Sequence, residues 1–116
     1  MATHELNAAN FEETIKNHPL VFIDFWATWC GPCRAFGPIY EAASEAHDDI
    51  WFTKVDIDQE QGLAQAAGIQ AVPTLIIIRN GEVVFKNAGA LRESDLEELI
   101  GKVTADSSAA PAASAE

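Results

Sequence analysis

The sequence predicts an α/β domain, a central mixed β-sheet flanked by helices on both faces, in the order β-α-β-α-β-α-β-β-α. Three observations predict it. Residues 20–27 (Leu-Val-Phe-Ile-Asp-Phe-Trp-Ala) form a β-branched and aromatic run without alternation, the pattern of a central strand covered on both sides. Helix-like segments separate this run from the strand-like stretches before and after it, as parallel crossovers require. Near the end, Asn80-Gly81 joins two further strand-like runs, the strongest hairpin signal in the chain.

With 116 residues, a single domain has enough chain for a real core. Apolar residues at 48% and charged residues at 22% are ordinary for a globular protein. Seven basic against 18 acidic residues give a net charge of -11, which argues against nucleic-acid or anionic-membrane binding and discourages self-association. No apolar run approaches the length of a membrane span. Residues 1–9 lack a basic segment followed by an apolar one, so the expectation is a cytoplasmic monomer in a reducing compartment.

Taken in order, His4 to Leu6 is expected to form a short edge strand. Residues 7–17 form a first helix, with Asn7 as N-cap, Glu12 and Glu13 early, and Phe11 and Ile15 on one face. His18-Pro19 ends it, because the residue before proline leaves the α region. After the central strand, Cys33 to His47 keeps an apolar stripe at Phe36, Ile39, Tyr40 and Ala43, with Pro38 inside it as a packing kink. Residues 50–57 form a strand carrying Lys54 between apolar neighbours, and 61–67 a short helix ending at Gly68. The hairpin strands are 75–79 and 82–88, and Gly89 breaks the second. In the last helix Leu96, Leu99, Ile100 and Val103 form the stripe, with Ser94 and Glu97 as a capping box unless the helix starts nearer Arg92. The domain is thus 1–103, and the Ala/Ser-rich stretch 104–116 is expected to be a disordered tail.

Both cysteines lie in Trp29-Cys30-Gly31-Pro32-Cys33, between the central strand and the second helix. A Cys-x-x-Cys there places the first sulfur near the free N–H groups and the positive end of a helix dipole, which favour thiolate over thiol. The second sulfur lies about one turn on, within reach to close a small ring. Such a short loop removes little entropy from the unfolded chain, so the spacing suits reversible redox chemistry better than cross-linking. Zinc is the competing reading, but it needs three or four ligands, and His4, His18 and His47 show no paired spacing. Those histidines are expected at the surface, and Trp51 in the core. Asp24 is the anomaly of the central strand, since a carboxylate buried without a partner is costly to ionise.

With Trp-Cys-Gly-Pro-Cys after a βαβ start and Val72-Pro73-Thr74 before a hairpin, the sequence resembles the thioredoxin family over residues 5–103. Asp24-Phe25-Trp26-Ala27, Lys54 and Asn80-Gly81 fall in matching order, and Arg34 replaces the lysine common after the second cysteine. The resemblance implies the thioredoxin fold and a protein dithiol-disulfide oxidoreductase. It makes Cys30 the nucleophile, Cys33 the more buried resolving thiol, and Asp24 with Lys54 a buried pair that relays the Cys33 proton. It makes Pro73 a cis-proline facing the sulfurs, and Trp29, Gly31, Pro32, Val72, Gly89 and Ala90 an apolar docking face, with Trp26 and Pro38 as structural support. It implies no bound cofactor or metal; NADPH acts indirectly, through a thioredoxin reductase, and disulfide-containing proteins are the targets. A non-catalytic partner subunit using the same face, and a disulfide isomerase or oxidase, remain alternatives.

Overall fold

The computed structural model describes residues 2–108. Its elements are β1 (His4–Glu5), α1 (Phe11–Asn17), β2 (Leu20–Trp26), α2 (Gly31–Ala46), β3 (Trp51–Asp56), α3 (Gln61–Ala66), β4 (Thr74–Arg79), β5 (Glu82–Ala88) and α4 (Glu93–Ser108). One sheet has the strand order β1-β3-β2-β4-β5. β1, β3 and β2 run parallel, while β4 is antiparallel to β2 and β5 to β4. The mixed sheet and the element order are those expected from the sequence.

Strand alternation sorts the core into two layers. Leu20 and Phe22 of β2, Phe52 of β3, and Leu75 and Ile77 of β4 pack against Phe36, Tyr40 and Ala43 of α2 and Leu96, Ile100 and Val103 of α4. Val21, Ile23, Phe25, Val55, Ile76 and Ile78 face the other way, where Phe11 and Ile15 of α1 and Leu63 of α3 close over them. Asp24 and Trp26, two and four residues beyond Phe22, therefore share the α2 face, as do Lys54 and Asp56 beyond Phe52.

Several boundaries differ from expectation. The first helix begins at Phe11, because Asn7 and Asn10 hydrogen-bond each other's backbone: each N–H donates to the other's Oδ1, at 2.8 and 2.9 Å. This closes a turn over 7–10 where helix was expected. α4 starts at Glu93, in line with the alternative start near Arg92, so the Ser94–Glu97 capping box does not form; Glu97 instead pairs with His47 at the end of α2, 2.8 Å away. α4 also continues through Ser108, past the boundary expected after residue 103; Val103 is buried and the Thr104 hydroxyl donates to the Ile100 carbonyl. The rest of the expected tail, 109–116, lies outside the described residues. Trp51 is only half-buried, stacked between the rings of His4 and His18 at 3.7 and 3.9 Å.

The hairpin is as read: Asn80 and Gly81 both have positive φ, 52° and 85°, as a type I′ turn needs. Gly68 at φ +70° follows the last turn of α3, whose end is held by Lys86 Nζ donating to the Ala67 and Gly68 carbonyls.

Candidate active site

The site is made where β2 hands over to α2. The helix begins at Gly31, earlier than the expected Cys33, so Cys30 is its N-cap and Pro32 lies in its first turn, where a missing N–H costs nothing. Cys30 Sγ accepts the Cys33 N–H at 3.1 Å, the position a serine or aspartate oxygen takes in other helices. A sulfur there is best satisfied as an anion, because it meets both a hydrogen-bond donor and the positive end of a 16-residue helix. Cys30 and Cys33 are joined as a disulfide, with Cα atoms 5.2 Å apart.

The expected difference in burial between the two sulfurs is not seen. Cys30 is 4% exposed and Cys33 7%. Cys30 is covered because the loop before β4 folds onto it: its Sγ lies 3.5 Å from the Val72 carbonyl oxygen, and Val72, Trp26 and Ile57 pack against the cysteine pair. What separates the two sulfurs is therefore their neighbours, not their exposure.

The other expected site residues fall on the loops around this junction. The Val72–Pro73 bond is cis, and the Pro73 carbonyl accepts the Gly89 N–H at 2.8 Å, which ties two of the loops together. Gly89 has φ +112°, a conformation L side chains rarely adopt. Trp29, Gly31, Pro32, Gly89 and Ala90 are exposed and Val72 half-buried. Trp29 is 63% exposed, yet its indole N–H donates to Asp58 Oδ2 at 3.0 Å, which fixes the ring beside the motif. Arg34 donates to the Thr28 carbonyl across the turn. Pro38 is exposed on α2 and belongs to the helix rather than to the site.

Beneath the motif, Asp24 is 2% exposed and its Oδ1 has no hydrogen-bond partner. Burial pushes its carboxyl from 3.8 up to about 7, and the Lys54 ammonium pulls it back only in part. Lys54 is the register partner of Asp24 in the parallel ladder, but among the described residues no direct ion pair joins them. Its Nζ instead sits 4.9 Å from the centroid of the Trp26 ring, a cation–π position. Tyr40, which the sequence shows only as part of an apolar stripe, is wholly buried and donates to the Thr53 carbonyl at 2.8 Å. Burial and then the Asp24 charge push its hydroxyl well above the ordinary tyrosine range, with Glu41 adding to them. Asp58, Tyr40 and Glu41 are the residues beside the site that sequence reasoning missed; a hydroxyl-bearing ring in an otherwise apolar stripe was the one signal for any of them. Among the described residues no group of three His, Cys, Asp or Glu side chains is placed to hold a metal ion, and no helix is long and apolar enough to cross a membrane.

An N-capping cysteine bonded to its partner one turn on can open and close by two-electron exchange. The chain is similar to proteins of known family. The family model described as thioredoxin matches residues 2–102. A putative thioredoxin 2 of Streptomyces coelicolor is 50% identical over 101 residues, 87% of this chain and 75% of that protein. A thioredoxin of Alicyclobacillus acidocaldarius is 37% identical over 103 residues, 88% of this chain and 98% of that one. Among solved structures, Plasmodium falciparum thioredoxin aligns with a TM-score of 0.80 at 35% identity, covering 85% of this chain and 97% of that chain. Oxidised mitochondrial thioredoxin 3 of Saccharomyces cerevisiae aligns at 0.79 and 33%, covering 86% and 94%. With its cysteine pair at disulfide distance, the chain is a dithiol-disulfide oxidoreductase that belongs to the thioredoxin family.

Proposed function

We propose that the chain reduces disulfides in target proteins, with Cys30 as nucleophile and Cys33 as resolving thiol. In the reduced state the Cys30 thiolate attacks one sulfur of the target disulfide, and the other target sulfur leaves as a thiolate that takes a proton from water. The Cys33 thiol gives its proton to Asp24 as its sulfur attacks Cys30 Sγ, which closes the intramolecular disulfide and frees the second target sulfur as a thiolate. Two electrons pass from the cysteine pair to the target. The observation that carries this assignment is the Cys33 N–H donating to Cys30 Sγ at the start of α2, which favours negative charge on Cys30 and not on Cys33.

Asp24 and Lys54 act as the proton-handling pair, Lys54 limiting how far burial raises the Asp24 carboxyl. Trp29, Gly31, Pro32, Val72, Pro73, Gly89 and Ala90 receive the target: the exposed flank of Val72 lets an extended segment add as a strand, while the glycines admit its backbone closely. Trp26 supports the pair from below. The disulfide is reduced again by a thioredoxin reductase at the expense of NADPH, so that the protein carries electrons as a monomer in the cytoplasm without a cofactor of its own.

Replacement of Cys33 by serine tests the roles directly. C33S is expected to accumulate a stable mixed disulfide with target through Cys30 on non-reducing gels, while C30S traps none. Trapping through Cys33 alone would reverse the assignment. If cellular activity survives loss of both sulfurs, the partner-subunit reading replaces the enzymatic one for that role.

A further inference from the structure

The proton that Asp24 receives must leave again in every cycle, and Asp24 has no direct exposure through which to release it. Strand alternation points to where it could go. Asp24 and Trp26 on β2 and Lys54 on β3 share the face under α2, and Trp26 and Lys54 line a cleft of about 390 Å³ beside β1. The far wall is the N-terminal segment around Thr3 and His4; Glu41 of α2 completes it. Such a volume has room for a chain of several waters.

Two buried side-chain oxygens among the described residues have no hydrogen-bond partner: Asp24 Oδ1 and Glu41 Oε1. Both carboxyls lie close enough to Tyr40 for its hydroxyl to feel their charge. The other Glu41 oxygen, Oε2, accepts the Thr3 hydroxyl, which anchors the carboxylate at the cleft wall. Unpaired buried acceptors are rare, and two of them near one buried tyrosine call for a function. We propose that Glu41 is the outlet of the proton path, taking the proton of Asp24 through water in the cleft and releasing it to solvent.

The remaining groups around the cleft do not fit that role. The Lys54 ammonium has three donors and no acceptor, so it can stabilise a carboxylate but not take its proton. Asp56 Oδ1 accepts the Asp58 and Gln59 N–H groups and Glu60 Oε1 accepts the Ala8 N–H, and neither carboxylate has a buried oxygen without a partner. His4 is stacked on Trp51, and Glu5 lies exposed on β1. Glu41 therefore acts through Asp24 and not on the sulfurs. The step moves one proton, from the Asp24 carboxylic acid to water and from water to the Glu41 carboxylate, and no electrons.

The inference rests on the proposed role of Asp24, and the test separates the two. Multiple-turnover reduction of a fluorogenic disulfide peptide by the full chain, with thioredoxin reductase and NADPH in excess so that Asp24 must shed its proton in every cycle, is followed from pH 6 to 9 in weak buffer, for wild type, Glu41→Gln, Asp24→Ala and the charge-matched surface control Glu98→Gln. Glu41→Gln is expected to slow the step about tenfold, below the ~10²–10⁴ of a group transferring the proton in the transition state itself. Added imidazole should restore the rate, and melting should match Glu98→Gln. A Glu41→Gln rate equal to wild type, or a slow rate that imidazole does not restore, overturns the outlet role while a slow Asp24→Ala leaves the Asp24 reading standing. An Asp24→Ala rate equal to wild type overturns both.

Discussion

The two faces of β2 are built from one seven-residue strand, yet they do opposite things. Toward α1 and α3 it presents Val21, Ile23 and Phe25, packed with Val55, Ile76 and Ile78 in a layer with no ionisable group among its buried residues. Toward α2 it presents Leu20 and Phe22 and then Asp24 and Trp26, with Lys54 alongside and the cysteine pair above. The helices differ in step: α1 and α3 have 7 and 6 residues and bury none of them, while α2 and α4 have 16 each. One side of the sheet supplies cohesion alone. The other carries a carboxyl in a place where burial works against it, on the strand that leads into the cysteine pair. A change of one residue along a strand moves a side chain from one regime to the other.

The sharpest way to break the comparison is to give the apolar face its own carboxyl. Ile23→Asp should destabilise by about 5 kcal/mol, combining lost packing with an unpartnered polar group, as read by urea unfolding. A loss below about 2 kcal/mol would mean the two faces are not different environments. The next effect is a pH dependence confined to the α2 face. The unfolded Asp24 carboxyl loses its proton near 3.8 and the folded one near 7, so between these values the folded state holds more protons and stability falls as pH rises. The slope is ~1.4 kcal/mol per pH unit, about 4 kcal/mol in all, with no further change from this group above about pH 7. Asp24→Ala should remove this component; if the curves of variant and wild type stay parallel, Asp24 does not titrate there.

Smaller changes sharpen the picture. Tyr40→Phe removes a hydroxyl bonded to the Thr53 carbonyl and should cost about 1 kcal/mol by chemical unfolding, with turnover unchanged. A large loss of turnover would make Tyr40 part of the proton path instead of its frame. Lys54→Met withdraws the positive charge that favours the Asp24 carboxylate, so the Asp24 midpoint should move upward from about 7 in a carbon-13 titration. A downward shift would contradict the placement of that charge.

Much of this was legible in the sequence for a physical reason. The continuous apolar run of β2, the Asn80-Gly81 turn and the spacing of Cys30 and Cys33 are local signals, and the structure reproduces each. Asp24 stood out because a carboxylate breaks that run. The two expected caps that do not form have a common cause: Asn7 and Glu97 carry capping chemistry, but a facing Asn10 and a His47 from another helix claim them. Trp51 reads as core until two histidines brought close by the fold leave it half-buried between their rings. Asp58 beside Trp29, Tyr40 under Thr53 and Thr3 on Glu41 are pairs 29, 13 and 38 residues apart, set by strand order and invisible to any local pattern. The equal burial of the two sulfurs is of the same kind, since it depends on the Val72 loop closing over Cys30.

The measurement that tests the central claim most directly is made on Asp24→Ala at pH 8, reading unfolding free energy and disulfide-reduction rate on the same sample. If the α2 face holds its carboxyl for chemistry and at the expense of cohesion, the variant unfolds at higher urea and turns over more slowly than wild type. A variant that is less stable, or one that is more stable and equally fast, would contradict the account.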